Sequence, residues 1–238
     1  VGDDPTGDAA LARATRAFAA DLHSTLSRVL PDEPEPFAVH TDRTAPTHVR
    51  VRHAPEPGVP LTVDGVVVLR LRVDYRCGWD RTGRFLAVRR STLAVVAEGS
   101  DEPLFRYDYD AGSDEKVPAA HLNVHGHRDE LVFAMMAAGH RLRGRARSSA
   151  VRSGRVPRVS TLHFPLGGRR FRPSFEDVVE MVVREFGLDT RPAWREAVRA
   201  GRTRWRAVQL RAAVREDPGG AVAVLRELGW AVAPAQAQ

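Results

Sequence analysis

The chain contains one cysteine, Cys77, among its 238 residues. No disulfide can form within it, which fits a reducing compartment and leaves Cys77, in a strand-like stretch, as a small buried hydrophobe. Long apolar runs are missing as well. No stretch approaches the roughly 18 apolar residues that a membrane-spanning helix requires. The first eight residues are acidic and polar, with no basic region leading into an apolar one, so no secretory signal is indicated. The expectation is a soluble, cytoplasmic protein with no membrane partner. Zinc-type ligand spacings and the Walker and dinucleotide-binding glycine patterns are also lacking. No metal and no dedicated cofactor is indicated. There is no internal repeat, and a chain of this length can bury a core of its own.

Lysine is nearly absent too. Lys116 is the single one, and arginine supplies the rest of a formal net charge of +6. Arginine is also rich where coding sequence is rich in GC, together with alanine, glycine, proline and valine, so its total amount says little. Its distribution says more. Residues 1–36 hold seven acids against three arginines, whereas residues 141–172 hold ten arginines and no acid. A single-sign stretch of that density attracts polyanions. The planar guanidinium fork matches phosphate oxygens and base edges. A solvated basic loop, or docking against an acidic surface, would also account for it.

Periodicity divides the chain into three regions. Residues 1–36 comprise a helix over 9–30 and a Pro/acid linker. In the helix Leu11, Phe18, Leu22, Leu26 and Val29 make an apolar stripe, and Pro31 stops it. Residues 37–172 are β-rich. Strands are expected over 47–53, 66–77, 84–96, 104–109, 119–125 and 159–164. The clearest is 66–77, where Leu69, Leu71, Val73 and Tyr75 alternate with Arg70, Arg72, Asp74 and Arg76. In the next but one, Phe105, Tyr107 and Tyr109 alternate with Arg106 and Asp108. The strand at 84–96 has an irregular alternation that hints at a bulge. Short connections between these strands read as an antiparallel meander. Pro55, Pro57, Gly58 and Pro60 read as breakers, residues 129–140 as a short helix, and 141–158 as a loop.

Residues 173–238 are helical. Ser174 and Asp177 resemble a capping box, and Gly187 ends that helix. Trp194, Ala197, Val198, Trp205, Val208 and Ala212 form the stripe of the next, which Gly201 threatens to split. Asp217 and Pro218 open a last short helix. The fold class is therefore α+β, an antiparallel sheet covered by helices on one face.

Three places could carry chemistry. The string His121-Leu122-Asn123-Val124-His125-Gly126-His127 puts His121, Asn123 and His125 on one strand face. Histidines there suit acid–base work or phosphate contact. Residues four apart on a strand are about 13 Å apart, so His121 and His125 do not share one ion unless the strand ends between them, whereas His125 and His127, either side of Gly126, could converge as metal ligands or as acid and base. The second place is His163 with Gly167, Gly168, Arg169, Arg170 and Arg172, a phosphate pocket in outline. Glycine admits backbone amides to an anion and arginine grips it bidentately. The third is Arg106 with Asp108. If their face is the histidine face, Asp108 orients a histidine as general base, and arginine stabilises charge on phosphate. Each of these also has a structural reading, as surface histidines, a hairpin turn or a cross-strand pair.

The order Arg106-Tyr107-Asp108 followed by His121, His125 and His127 resembles the TumE-like toxins. The resemblance covers roughly residues 64–127, with 175–186 as a further match. It implies a small antiparallel sheet, a nucleotidyltransferase-like antitoxin as partner, and an RNA-directed toxic activity. Arg106, Asp108, His121 and His125 are the positions that carry over. The family follows its Arg-Tyr-Asp with an Asn-Pro and His-His run, where this chain has Tyr109, Asp110, Ala111 and Gly112, and its histidines are more tightly clustered.

Three functions fit. One is a nucleic-acid-binding or regulatory protein that contacts phosphates through its arginine-rich segment. The second is a metal-independent, RNase-like or nucleotide-directed enzyme using histidines and arginines. The third is a structural or protein-partner-binding role without catalysis.

Overall fold

Pro5 opens the first helix, α1 (Pro5–Val29), a position where its missing N–H costs nothing. Leu11, Leu22, Leu26 and Val29 are buried along one side of it. The structure is a computed structural model that describes residues 5–41, 48–53, 56–113, 117–126, 149–156, 158–161, 164–166 and 172–233. Among these residues eight strands form one antiparallel sheet. They are β1 (Phe37–Thr41), β2 (Val49–His53), β3 (Val59–Val63), β4 (Val66–Trp79), β5 (Leu86–Ala97), β6 (Pro103–Asp110), β7 (Ala120–Val124) and β8 (Phe164–Pro165). The order across the sheet is β1-β2-β4-β5-β6-β7-β8, and β3 pairs with β4. β2 pairs with residues 74–77 of β4 and β3 with residues 66–71. They therefore lie end to end along one edge of that long strand.

β1 and β3 are strands where the periodicity gave none. β3 tolerates Pro60 because it is an edge strand, where a residue without an N–H can face solvent, and Pro60 is exposed. Its link to β4 is the two-residue turn Asp64-Gly65, both at positive φ, the geometry that asparagine, aspartate and glycine favour in tight hairpins. Asp189 accepts from the N–H groups of both turn residues, at 3.0 and 2.8 Å.

The bulge hinted at in β5 is present. Arg76 pairs with Arg90 and Cys77 with Val88, so Arg89 is the extra residue. The strand expected at 159–164 is not formed. Residues Val159–Thr161 make a 3-10 turn, and only Phe164–Pro165 pair with β7. One helical turn also stands at 149–152, inside the expected loop. The helix expected at 129–140 lies outside the described residues.

Three further helices complete the described fold: α2 (Phe175–Phe186), α3 (Trp194–Glu216) and α4 (Pro218–Glu227). The capping box at Ser174 and Asp177 is formed, and Gly187 closes α2 in the left-handed conformation. Between α2 and α3, Arg191 caps α1. Its backbone N–H donates to the Val29 carbonyl at 2.9 Å, and its guanidinium Nε to that of Leu30 at 2.6 Å. Those are carbonyls a helix end otherwise leaves unpaired.

The core lies between the helices and one sheet face. Val51, Leu71, Val73, Tyr75, Cys77, Leu93 and Val95 of the sheet pack with Leu22 and Leu26 of α1, Val178 and Val182 of α2, and Trp194 and Val198 of α3. Burial pushes the Cys77 thiol up to about 12, so it stays protonated and serves as packing. The stripe of α3 is buried only as far as Gly201. Beyond it Trp205 is half-buried, and Val208, Leu210 and Val214 are exposed, as are Leu225, Leu228 and Trp230 of the last turns. No helix among the described residues is long and apolar enough to cross a membrane.

Candidate functional site

The sheet face away from the helices is polar because the strands alternate. Cross-strand register lines up one row, Arg52, Asp74, Thr92, Asp108 and His121, on β2, β4, β5, β6 and β7. The next row reads Arg72, Ala94, Arg106 and Asn123. These rows bring together Arg106, Asp108 and His121, three of the residues singled out in the sequence.

Asp108 is the hub. Thr92 Oγ1 donates to its Oδ1 at 2.8 Å, and Asn123 Nδ2 donates to its Oδ2 at 2.8 Å. Arg106 Nε lies 2.7 Å from Oδ2 as an ion pair, without the alignment of a hydrogen bond. His121 Nε2 stands 3.7 Å from the same oxygen. The other ring nitrogen of His121, Nδ1, is 2.9 Å from the Pro118 carbonyl. A carbonyl only accepts, so in the neutral ring Nδ1 carries the proton and Nε2 faces Asp108 with its lone pair. The centre grades from buried to wet. Asn123 is fully buried and His121 nearly so, while the Arg106 side chain is 40% exposed. Asn123 Oδ1 has no hydrogen-bond partner among the described residues.

Beside the hub is a depression of about 270 Å³, lined by Arg52, Arg72, Arg106, Asp74, Thr92 and Ala94 among others. Arg52 pairs with Glu56 at 2.6 Å. Arg72 donates to the main-chain carbonyls of Pro57 and Asp101, at 3.1 and 3.0 Å. Farther along the face, Arg50 forks onto Asp74 and Arg90 pairs with Asp110.

The remaining candidates lie elsewhere. His125 follows the end of β7, with Nδ1 3.1 Å from Glu102 Oε1. Arg172 is on the opposite side of the sheet, its guanidinium stacked 3.7 Å above the Tyr109 ring. There it lines a cleft of about 1190 Å³ shared by Tyr75, Tyr107, Glu176, Arg204 and Trp205. Phe85 and Arg215 meet across one end of this cleft, with the guanidinium 3.7 Å over the ring. His127, His163, Gly167, Gly168, Arg169 and Arg170 lie outside the described residues, as do the arginines at 141, 143, 145 and 147. Among the described residues no group of three or more His, Cys, Asp or Glu side chains could hold a metal ion.

Sequence reasoning passed over Thr92, Arg52 and Arg72 as site residues. The alternation of β4 carried a signal for Arg72, but Arg52 and Thr92 join the site only through register. Compared with family models, curated proteins and solved structures, the chain gives no significant match.

Proposed function

We propose that this protein recognises phosphate groups of a nucleic acid or nucleotide on the open face of its sheet. One observation carries the reading. Arg52, Arg72 and Arg106, from three different strands, surround a single depression, and Arg106 and Thr92 of its lining contact Asp108. Guanidinium groups bind phosphate oxygens in pairs and keep their charge at any physiological pH. Their placement on central strands of a sheet supplies the rigidity that a recognition site needs. Fluorescence anisotropy with a 3′-labelled, 5′-phosphorylated single-stranded RNA tests it. Log affinity should fall linearly with log salt, at a slope of about −0.7 for each phosphate neutralised on a single strand. Arg106→Ala should weaken binding about tenfold, the loss of one charge-assisted contact. Salt-insensitive binding, or none, ends this reading.

The Asp108–His121 geometry supports a second reading, phosphodiester cleavage without a metal. A 2′-hydroxyl attacks the adjacent phosphorus as His121 Nε2 takes its proton, and the P–O5′ bond breaks, the 5′-oxygen leaving with a proton from water; Asp108 steadies the imidazolium, and Arg106 balances charge on the phosphoryl oxygens. The resemblance of Arg106, Asp108 and His121 to the TumE-like pattern supports the same assignment. Cleavage of labelled RNA in the presence of a chelator should vanish in His121→Gln and persist in Arg172→Ala, which alters the opposite face. Equal activity in wild type and His121→Gln would exclude it.

A further inference from the structure

The open-face depression is lined from β2, β4, β5 and β6 and from the loop before β3. In the row Arg72, Ala94, Arg106 the two arginines flank an alanine. Adjacent strands are about 4.8 Å apart, so the two arginine Cα atoms are roughly 10 Å apart, and both side chains can lean over the short methyl between them. Arg52 closes a third side from the neighbouring row. The loop at residues 56–58 and Pro103 form the remaining rim. Gly58 makes that wall possible. It sits at φ +121°, and a Cβ there would come within 2.9 Å of the Leu71 carbonyl oxygen, so only glycine lets the loop lie against β4.

The arginines are held in ways that keep them useful. Arg72 is gripped by two main-chain carbonyls, which fix the guanidinium without neutralising it. The nearby Asp101 carboxylate is 3.6 Å away and fully exposed. Arg106 is fixed by Asp108. Arg52 lies 3.8 Å from Asp74 and carries the carboxylate of Glu56, whose side chain is 65% exposed. An exposed ion pair of that kind is weak and readily exchanged. Glu56 thus occupies the place of an incoming anion.

Resting on the phosphate reading above, the geometry points to a terminal phosphate monoester as the ligand of this basin, carried by a mononucleotide or by the end of a chain, and not to the interior of a strand. About 270 Å³ falls just below the range of drug-sized ligand sites, a size that suits one phosphate-bearing group better than a length of strand. A continuous strand needs cations spaced along a groove that is open at both ends. A monoester also presents three free oxygens and a charge of roughly −1.5 to −2 near neutral pH, where an internal diester presents two oxygens and one charge.

The test is competition binding to the full chain. The probes are inorganic phosphate, 5′-AMP, 3′-AMP, adenosine, and one RNA sequence prepared with either a 5′-phosphate or a 5′-hydroxyl. The phosphorylated RNA should bind at least tenfold tighter than its hydroxyl twin, and both AMP isomers should compete where adenosine does not. Competition by AMP without a preference between the two RNAs would assign the basin to free mononucleotides. Arg72→Gln should abolish the preference for phosphate. Glu56→Ala, which vacates Arg52, should tighten 5′-AMP several-fold, a gain that misfolding cannot produce. Equal affinity for the two RNAs with no competition by AMP overturns the inference and leaves phosphate recognition standing. Failure of every phosphate-bearing probe overturns both.

Discussion

Asp108→Ala should lower folding stability by about 1–3 kcal/mol, the cost of stranding the buried amide of Asn123 and removing the acceptor that Thr92 uses. The side chain of Asp108 is only 18% exposed, and it serves Thr92, Asn123 and Arg106 together. Thr92 and Arg106 keep some access to water. Asn123 is fully buried, so its amide has nowhere else to donate. Asp108→Asn keeps one acceptor, for Thr92 at the Oδ1 position or for Arg106 and Asn123 at the Oδ2 position, and should cost less than the alanine. Urea unfolding of the two variants against wild type gives both numbers. A loss below about 0.5 kcal/mol for Asp108→Ala, the size of an ordinary surface change, would show that the hub does not hold β5, β6 and β7 together.

Gly201→Ala should be nearly as damaging, although helix propensity taken alone would favour alanine by about 1 kcal/mol. Gly201 lies inside α3, which runs through it unbroken. Its reason is steric. A Cβ there would stand 2.2 Å from Glu176 Oε1 and 2.7 Å from its Cγ. Glu176 is buried and accepts from Thr25 Oγ1 at 3.3 Å, so its side chain can withdraw only by giving up that hydrogen bond. Overpacking of this kind costs about 1–3 kcal/mol. Adding Glu176→Ala to Gly201→Ala should recover most of the loss, and a double-mutant cycle should give a coupling above about 1 kcal/mol. Additive losses would show that the two residues do not collide.

Glu176 also makes stability depend on pH. Burial raises its carboxyl above the ordinary range, against the opposing pull of Thr25, Ser174 and Arg204. A raised acid binds its proton more tightly in the folded state. Its contribution is therefore complete below the ordinary carboxyl range and is lost as pH climbs through the folded value. Glu176→Gln should remove that slope from the acidic side of the stability profile.

Much of the sheet was legible because alternation is a local signal. In β6 the split between Phe105, Tyr107, Tyr109 and Arg106, Asp108 is visible in five consecutive letters. β3 was not, because Pro57, Gly58 and Pro60 resemble breakers until β4 is there to pair with them, and neither was β1, a five-residue strand directly after a Pro/acid linker. The Asp64-Gly65 pair was the available hint of that hairpin. Gly201 looked like a helix breaker because its partner, Glu176, lies 25 residues earlier.

The site was half legible for a similar reason. That Asp108 faces His121 needs the β6–β7 register, which the nine-residue connection between the two strands does not dictate. Arg172 shares a run with Arg169 and Arg170, but a run says nothing about which side of a sheet its side chains reach. His125 shares the parity of His121, yet it sits one residue beyond the end of β7, where alternation no longer governs direction.

β6 serves both sides of the sheet at once. Tyr107 and Tyr109 line the cleft under the helices, while Arg106 and Asp108 face the other way. A slip of one residue would exchange the two sets, putting carboxylate and guanidinium into the core and phenol rings among the arginines. Substitutions along β6 can be absorbed one at a time. A single-codon insertion or deletion inverts everything downstream of it in the strand unless a bulge takes it up, as one does at Arg89 in β5. The strand's length, more than any one of its residues, is what variation in this protein must leave alone.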